Sequence, residues 1–324
     1  MGRKDTPTKS YMKDNAHFAD VFNVALFGGE QKIRPEDLIA LDPVEIGLVP
    51  SRSNLGKTAL SMQKVRDIMK QAIVRDGKDC RYILLGIENQ SDIHYAMPVK
   101  CLIYDALNYL GQVEKIAEEN RKSENTSCDG EKKSTKRRRA EYLSGLKKED
   151  RILPVITLVV YWGSEEWDGP RRLHEMFEGL PQSFLRYVPD YQINLLAPRE
   201  CDKLDMFTTQ LGDVMRLIAV SYDKNKLLEL VEGQKKTYEN LPMAEVRLVN
   251  EFTNLNVRKT RGKETGNVCK AVEDIKEEAM EKERTSGIRI LIESLREVGL
   301  TSGAIAQKVQ EKYGLSAKDV AMFL

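Results

Sequence analysis

Long apolar runs are missing from this 324-residue chain. The longest, Ile152 to Trp162, has the length of a strand, whereas a membrane-spanning helix needs roughly 20 apolar residues. No transmembrane segment is therefore expected. The opening residues, MGRKDTPTKSYMKDN, carry no apolar stretch of the kind a secretory signal needs, and none is expected. Cysteine is sparse: Cys80, Cys101, Cys128, Cys201 and Cys269 form an odd, scattered set without a CxxC pair. That spacing argues against a disulfide framework and against Cys/His zinc ligation, and reads as reduced thiols of a cytoplasmic protein. Histidine is rarer still, at His17, His94 and His174. An excess of one charge sign is also absent, since 51 Lys and Arg stand against 50 Asp and Glu. Any nucleic-acid surface would have to be a local patch.

What is present is a pattern of short strands and amphipathic helices. Residues 1–12 are polar and read as loose. HFADVFNVALF, His17 to Phe27, has helical spacing and stops at Gly28-Gly29. Pro35 to Leu41 reads as a helical turn and Val44 to Val49 as a strand. Asp67 to Val74 and Arg81 to Ile87 read as strands joined by an Asp76-Gly77 turn, which predicts an antiparallel hairpin. Met97 to Gln112 places Val99, Ile103, Ala106, Leu107 and Leu110 on one helical stripe. Residues 118–150 read as a charged, flexible insertion ending in a short helix, AEYLSGL. Leu153 to Tyr161 is a continuous apolar run, predicting a strand covered on both faces. Gly169-Pro170 is expected to open a helix through Leu173, Met176 and Phe177.

Beyond about residue 190 the pattern is mainly helical. Residues 256–268 read as a polar hinge and Glu273 to Arg289 as a charged helix. Three short helices are expected over 288–324, with Thr301 or Ser302 and then Ser316 as caps. The element order predicts an α/β fold with a mixed sheet. Domains are expected at 13–230 and 231–324, the second helical.

The chemistry concentrates in Ile87 to Ser91, IENQS. Side chains two apart on a strand share a face, so Glu88 and Gln90 project together and Asn89 points away. An acid straight after an apolar strand is costly to bury without a partner. The hairpin brings Asp67, at the start of its first arm, to the same end of the sheet as Glu88. Two carboxylates and an amide oxygen suit a hard cation such as Mg²⁺, and a cation there could activate water against a phosphodiester. The rival reading is ordinary surface polarity at strand ends.

Four segments together, FADVFN, VRD before a strand, LLGIENQSDIHYAMPVK and DRILPVITLVVYWGSEEWDGP, closely resemble the recombination-promoting nuclease family. That family is also labelled YhgA-like transposases and lies within the PD-(D/E)XK nuclease superfamily. The resemblance covers about residues 13–230. It implies a restriction-endonuclease-like core of a helix, a three-strand meander, a helix and a further strand, to which the helical pattern beyond residue 230 adds a C-terminal helical extension. It further implies Asp67 and Glu88 as the two acids and Mg²⁺ or another divalent cation as cofactor, with DNA as partner and DNA endonuclease activity linked to recombination or mobile elements. Gln90 stands where the superfamily more often has Lys, with Lys70 and Lys100 as conceivable substitutes. Asp20 matches an acidic position that many members use as an extra metal ligand, against a rival reading as a solvated or capping Asp. The missing Lys keeps open a nuclease-fold protein that binds DNA or a protein without cutting. A three-acid transposase is a further alternative, although no third acid stands out. Homo-oligomerisation is left open.

Other features carry bland readings. Gly56-Lys57-Thr58 lacks the first glycine of a phosphate loop, Ser51 standing there. His94 reads as a surface or structural histidine. Lys132, Lys133, Lys136, Arg137, Arg138 and Arg139 form a basic run that could meet DNA phosphates or simply be solvated. Trp162 and Trp167 read as packing rather than base stacking. Lys308 and Lys312 give the tail a modest basic face, with packing or oligomerisation favoured over a helix-turn-helix.

Overall fold

A computed structural model describes residues 5–41, 67–76, 79–126 and 139–324. The expected strand at Val44 to Val49, Gly56-Lys57-Thr58, Cys128 and the basic residues from Lys132 to Arg138 lie outside them. The chain divides into two compact units, Met1–Leu227 with Arg247–Asn254, and Leu228–Val246 with Leu255–Leu324.

The first unit opens with α1 (Asp5–Met12) and α2 (Asn15–Phe27). A helix over the first residues corrects the expectation of a loose start. Thr8, Tyr11 and Met12 are buried, so tertiary packing holds a segment too short and polar to be helical alone. The Asp14 carboxylate caps α2 by accepting from the amides of Ala16 and His17. Gly28 ends the helix at φ 61°, a left-handed conformation that glycine adopts without strain. Phe18, Val21 and Phe22 are fully buried on this helix.

Next come β1 (Ile39–Ala40), β2 (Ile68–Asp76), β3 (Asp79–Gln90) and α3 (Met97–Thr126). They are followed by α4 (Arg139–Ser144), β4 (Val155–Tyr161), α5 (Gln182–Leu185), β5 (Asn194–Leu196) and α6 (Leu211–Val220). The five strands form one mixed sheet in the order β1-β2-β3-β4-β5, which bears out the α/β class. β2 and β3 pair antiparallel from Ile68↔Ile87 to Asp76↔Asp79, the hairpin that Asp76-Gly77 predicts. β3 and β4 pair parallel, which requires a crossover, and α3 supplies it.

Alternation along the strands separates two faces. On one, Met69, Leu84 and Val155 cluster, and Val159 and Tyr161 pack with Met97 and Cys101 of α3. On the other, Lys70 places its ammonium 4.6 Å from the ring centroid of Phe18 in α2. Leu158, Val159 and Val160 are fully buried, so β4 is covered on both sides as its β-branched run predicts. Each such side chain contributes roughly 1.5–3 kcal/mol by leaving water.

Two expectations are corrected here, and one strand is unforeseen. α3 runs on through residues 118–126, where a flexible insertion was expected, because Ala117 and Asn120 are buried. The Asn120 amide donates to the Gly145 carbonyl at 3.0 Å and to Asp150 at 2.7 Å, tying the helix to the chain that returns from the insertion. The helix expected after Gly169-Pro170 is only a 3-10 turn, Leu173–Met176. Met176 and Phe177 are 36% and 39% exposed, so no buried face extends it. The short strand β5 has no counterpart in the sequence pattern.

From Lys224 the chain is largely helical: α7 (Lys224–Gly233), α8 (Lys235–Tyr238), α9 (Met243–Phe252), α10 (Val268–Glu297), α11 (Ser302–Tyr313) and α12 (Ala317–Ala321). Two short strands, β6 (Leu241–Pro242) and β7 (Thr265–Gly266), pair antiparallel in the second unit. α10 is longer than the expected Glu273 to Arg289 and takes in part of the hinge, because Val268, Cys269, Ala271 and Val272 are buried. At its far end Ile288 and Ile292 pack with Ile305, Val309 and Val320. Thr301 and Ser316 cap α11 and α12 as expected, and Lys308 and Lys312 are exposed. Among the described residues no helix is long and apolar enough to cross a membrane.

Candidate functional site

The site grows out of the last residues of β3. This is the central strand, so it is apolar as far as Ile87, which is fully buried like Leu85. Glu88 and Gln90 then stand opposite Val159 and Tyr161 of β4, the residues that pack against α3. Both therefore project on the α3 face. The Gln90 Nε2 donates to Glu88 Oε1 at 3.1 Å. Lys100, in the first turn of α3, donates its ammonium to the same oxygen. Glu88 is 4% exposed, so these charge-assisted contacts carry much of the cost of burying it.

Asp67 follows next after the pair Ile68↔Ile87, across the hairpin from Glu88. Its Oδ2 accepts from the backbone N–H of Asn89 at 3.0 Å, and the Asn89 side-chain amide lies 3.5 Å away. Lys9 of α1 brings its ammonium to 4.0 Å from Asp67 Oδ1. Asn89 turns to the other face, where its Oδ1 accepts from the indole N–H of Trp162 at 3.0 Å. Trp162 is fully buried and stacks on Phe252, with ring centroids 5.5 Å apart. Asp67 thus reaches the mouth of β3 through Asn89, while Glu88 is held by Gln90 and Lys100.

Asp20 and Lys70 do not join them. Asp20 accepts from the backbone N–H of Thr208 at 3.0 Å and of Thr209 at 2.8 Å. It also accepts from the hydroxyls of Thr208 at 3.0 Å and Thr209 at 2.7 Å. A carboxylate engaged by four donors is a clamp between α2 and the approach to α6, in keeping with the capping reading that stood beside that of an extra metal ligand. Among the described residues no three His, Cys, Asp or Glu side chains gather as cation ligands.

Lys70 enters the α2 face, where it donates to the Lys13 carbonyl at 2.7 Å and to Asn15 Oδ1 at 2.6 Å. Burial pulls its pKa down from 10.5 to about 8, against the opposing pull of Asp14. Between these values the unfolded chain keeps a proton that the folded chain has released, so stability climbs as pH rises from about 8 towards 10.5. Denaturant unfolding of the parent against Lys70→Met should show a relative gain on the order of 2 kcal/mol between those limits. A pH-independent difference would refute this.

The remaining candidates are structural. The His94 Nδ1 lies 3.2 Å from the amide of Ala96 at the entrance to α3. Trp167 is 5% exposed and its indole N–H donates to the Gly169 carbonyl at 2.8 Å. Neither Trp162 nor Trp167 presents a face to a base. Asp105, a buried acid on α3, accepts from Thr157 at 2.6 Å and Tyr191 at 2.5 Å beside a cavity of about 360 Å³. Cys80, Cys101, Cys201 and Cys269 form no disulfides.

The donor types at the mouth of β3, two carboxylates and a side-chain amide, are those that a hard cation such as Mg²⁺ takes together with several waters. Each carboxylate already has an ammonium beside it, Lys9 for Asp67 and Lys100 for Glu88, so a cation would compete with these lysines for the carboxylate oxygens. Lys9 and the bridging part played by Asn89 were not foreseen. A lysine in a polar N-terminal segment carries no signal of a partner 58 residues away, and Asn89 is marked by alternation only as pointing elsewhere. In comparisons with known proteins, no family model, no curated protein and no solved structure matches this chain.

Proposed function

We propose that this protein is a Mg²⁺-dependent DNA endonuclease built on a PD-(D/E)XK-like core. The observation that carries the reading is that one end of the β2–β3 hairpin holds both the Glu88–Gln90 pair and Asp67, the latter bonded to the Asn89 amide between them. Its support is the order α2, three strands, α3, β4, which is the order that the family resemblance implies. Asp67 and Glu88 would hold the cation. Gln90 would orient water or a phosphate oxygen, and Asn89, locked by Trp162, would keep Asp67 in place. A bound cation would lower the pKa of its water and offset charge on the phosphodiester.

Supercoiled plasmid should be nicked or linearised with Mg²⁺ or Mn²⁺ and left alone with chelator. Asp67→Ala should slow cleavage by about 100-fold. Intact plasmid in both metals, or an Asp67→Ala variant as fast as the parent, would overturn the reading. Gln90 in place of Lys favours one other reading, a protein of this fold that binds DNA or a protein partner without cutting. Calorimetry showing DNA binding but no heat with Mg²⁺ would select it.

A further inference from the structure

We propose that Lys100 supplies the positive charge that position 90 lacks, and that it does so by giving up its place on Glu88 to the divalent cation. The inference rests on the nuclease reading of this site. Lys100 comes from α3, not from the strand. Its neighbours Met97 and Cys101 are buried against Val159 and Tyr161, which fixes the first turn of the helix against the sheet. The Lys100 side chain is 20% exposed while that of Glu88 is 6% exposed, so the lysine is the member of the pair that solvent reaches. Glu88 Oε1 already accepts from both Lys100 and Gln90.

A divalent cation on that oxygen and an ammonium in contact with it repel each other strongly in a partly desolvated site. The ammonium rides on a flexible four-carbon stem and can move, whereas Glu88 is fixed in the central strand. A phosphate of bound DNA would then offer the displaced ammonium a negative partner. Lys70 cannot take this part, because it opens onto the opposite face of the sheet. Lys9 stands against the other carboxylate, at 4.0 Å from Asp67, and comes from a different helix.

The test is calorimetric titration of the full chain with Mn²⁺ in the absence of DNA, run beside plasmid cleavage by the same preparations. Lys100→Met should bind Mn²⁺ at least about tenfold more tightly, because the competing charge is gone. It should cleave about 100-fold more slowly or worse. Lys100→Gln, which keeps a hydrogen-bond donor for Glu88, should behave alike and stands in if Lys100→Met does not fold. Lys100→Arg retains the charge and should bind Mn²⁺ within about threefold of the parent. A purely structural lysine would not tighten metal binding when removed. Unchanged or weaker Mn²⁺ affinity in a folded Lys100→Met or Lys100→Gln, or undiminished cleavage, overturns the inference. If the parent binds Mn²⁺ and cuts DNA, only the inference falls. A parent that neither binds Mn²⁺ nor cuts removes the nuclease reading and the inference together.

Discussion

Glu88→Gln should lower DNA cleavage by about a thousandfold or more and leave the protein folded. The substitution keeps the size of the side chain and one carbonyl oxygen, so Gln90 retains its acceptor at the mouth of β3. What disappears is the negative charge that faces Lys100 and would face the cation. The stability cost is modest, because the Lys100 side chain is partly open to water and its ammonium can turn outwards. A loss on the order of 1–2 kcal/mol is expected, a fall of a few degrees in melting temperature. Single-turnover cleavage and a melting curve on the same sample separate the two effects. Cleavage at the parental rate would exclude Glu88 from the chemistry.

Asp20→Ala should do the opposite, weakening the fold without touching the metal. The lost carboxylate leaves two backbone amides and two hydroxyls of Thr208 and Thr209 without their acceptor in a buried place. A cost of roughly 3–5 kcal/mol follows, or a fall of about 10 °C in melting temperature for a unit of this size. Folded protein should bind Mn²⁺ as the parent does. If instead Asp20→Ala melts normally and loses Mn²⁺ affinity, Asp20 is a ligand and the clamp is secondary.

The contrast between these two acids shows how far the sequence could be read. Glu88 was legible because strand alternation alone decides what shares its face. The hairpin was equally legible, since Asp76-Gly77 carries its turn chemistry locally. Asp20 was not, because its partners lie 188 residues further on and no local rule says which side of the sheet a helix will cover. The same holds for α1, whose helix depends on burying Tyr11 and Met12 and not on its own propensity. The end of α3 was misread because charged residues on the solvated side of a long helix look like a charged loop. β5, at three residues, is too short for any periodicity to show.

β3 is gripped on both sides, antiparallel to β2 and parallel to β4. Side-chain direction there is tied to residue count, so losing or gaining one residue between Ile83 and Ile87 would exchange the places of Asn89 and its two neighbours. Drift in chain length over evolution should therefore collect elsewhere. The largely exposed residues 175–187, between β4 and β5, can take it up more readily. The dozen residues of β3 should keep their number even where their identities change.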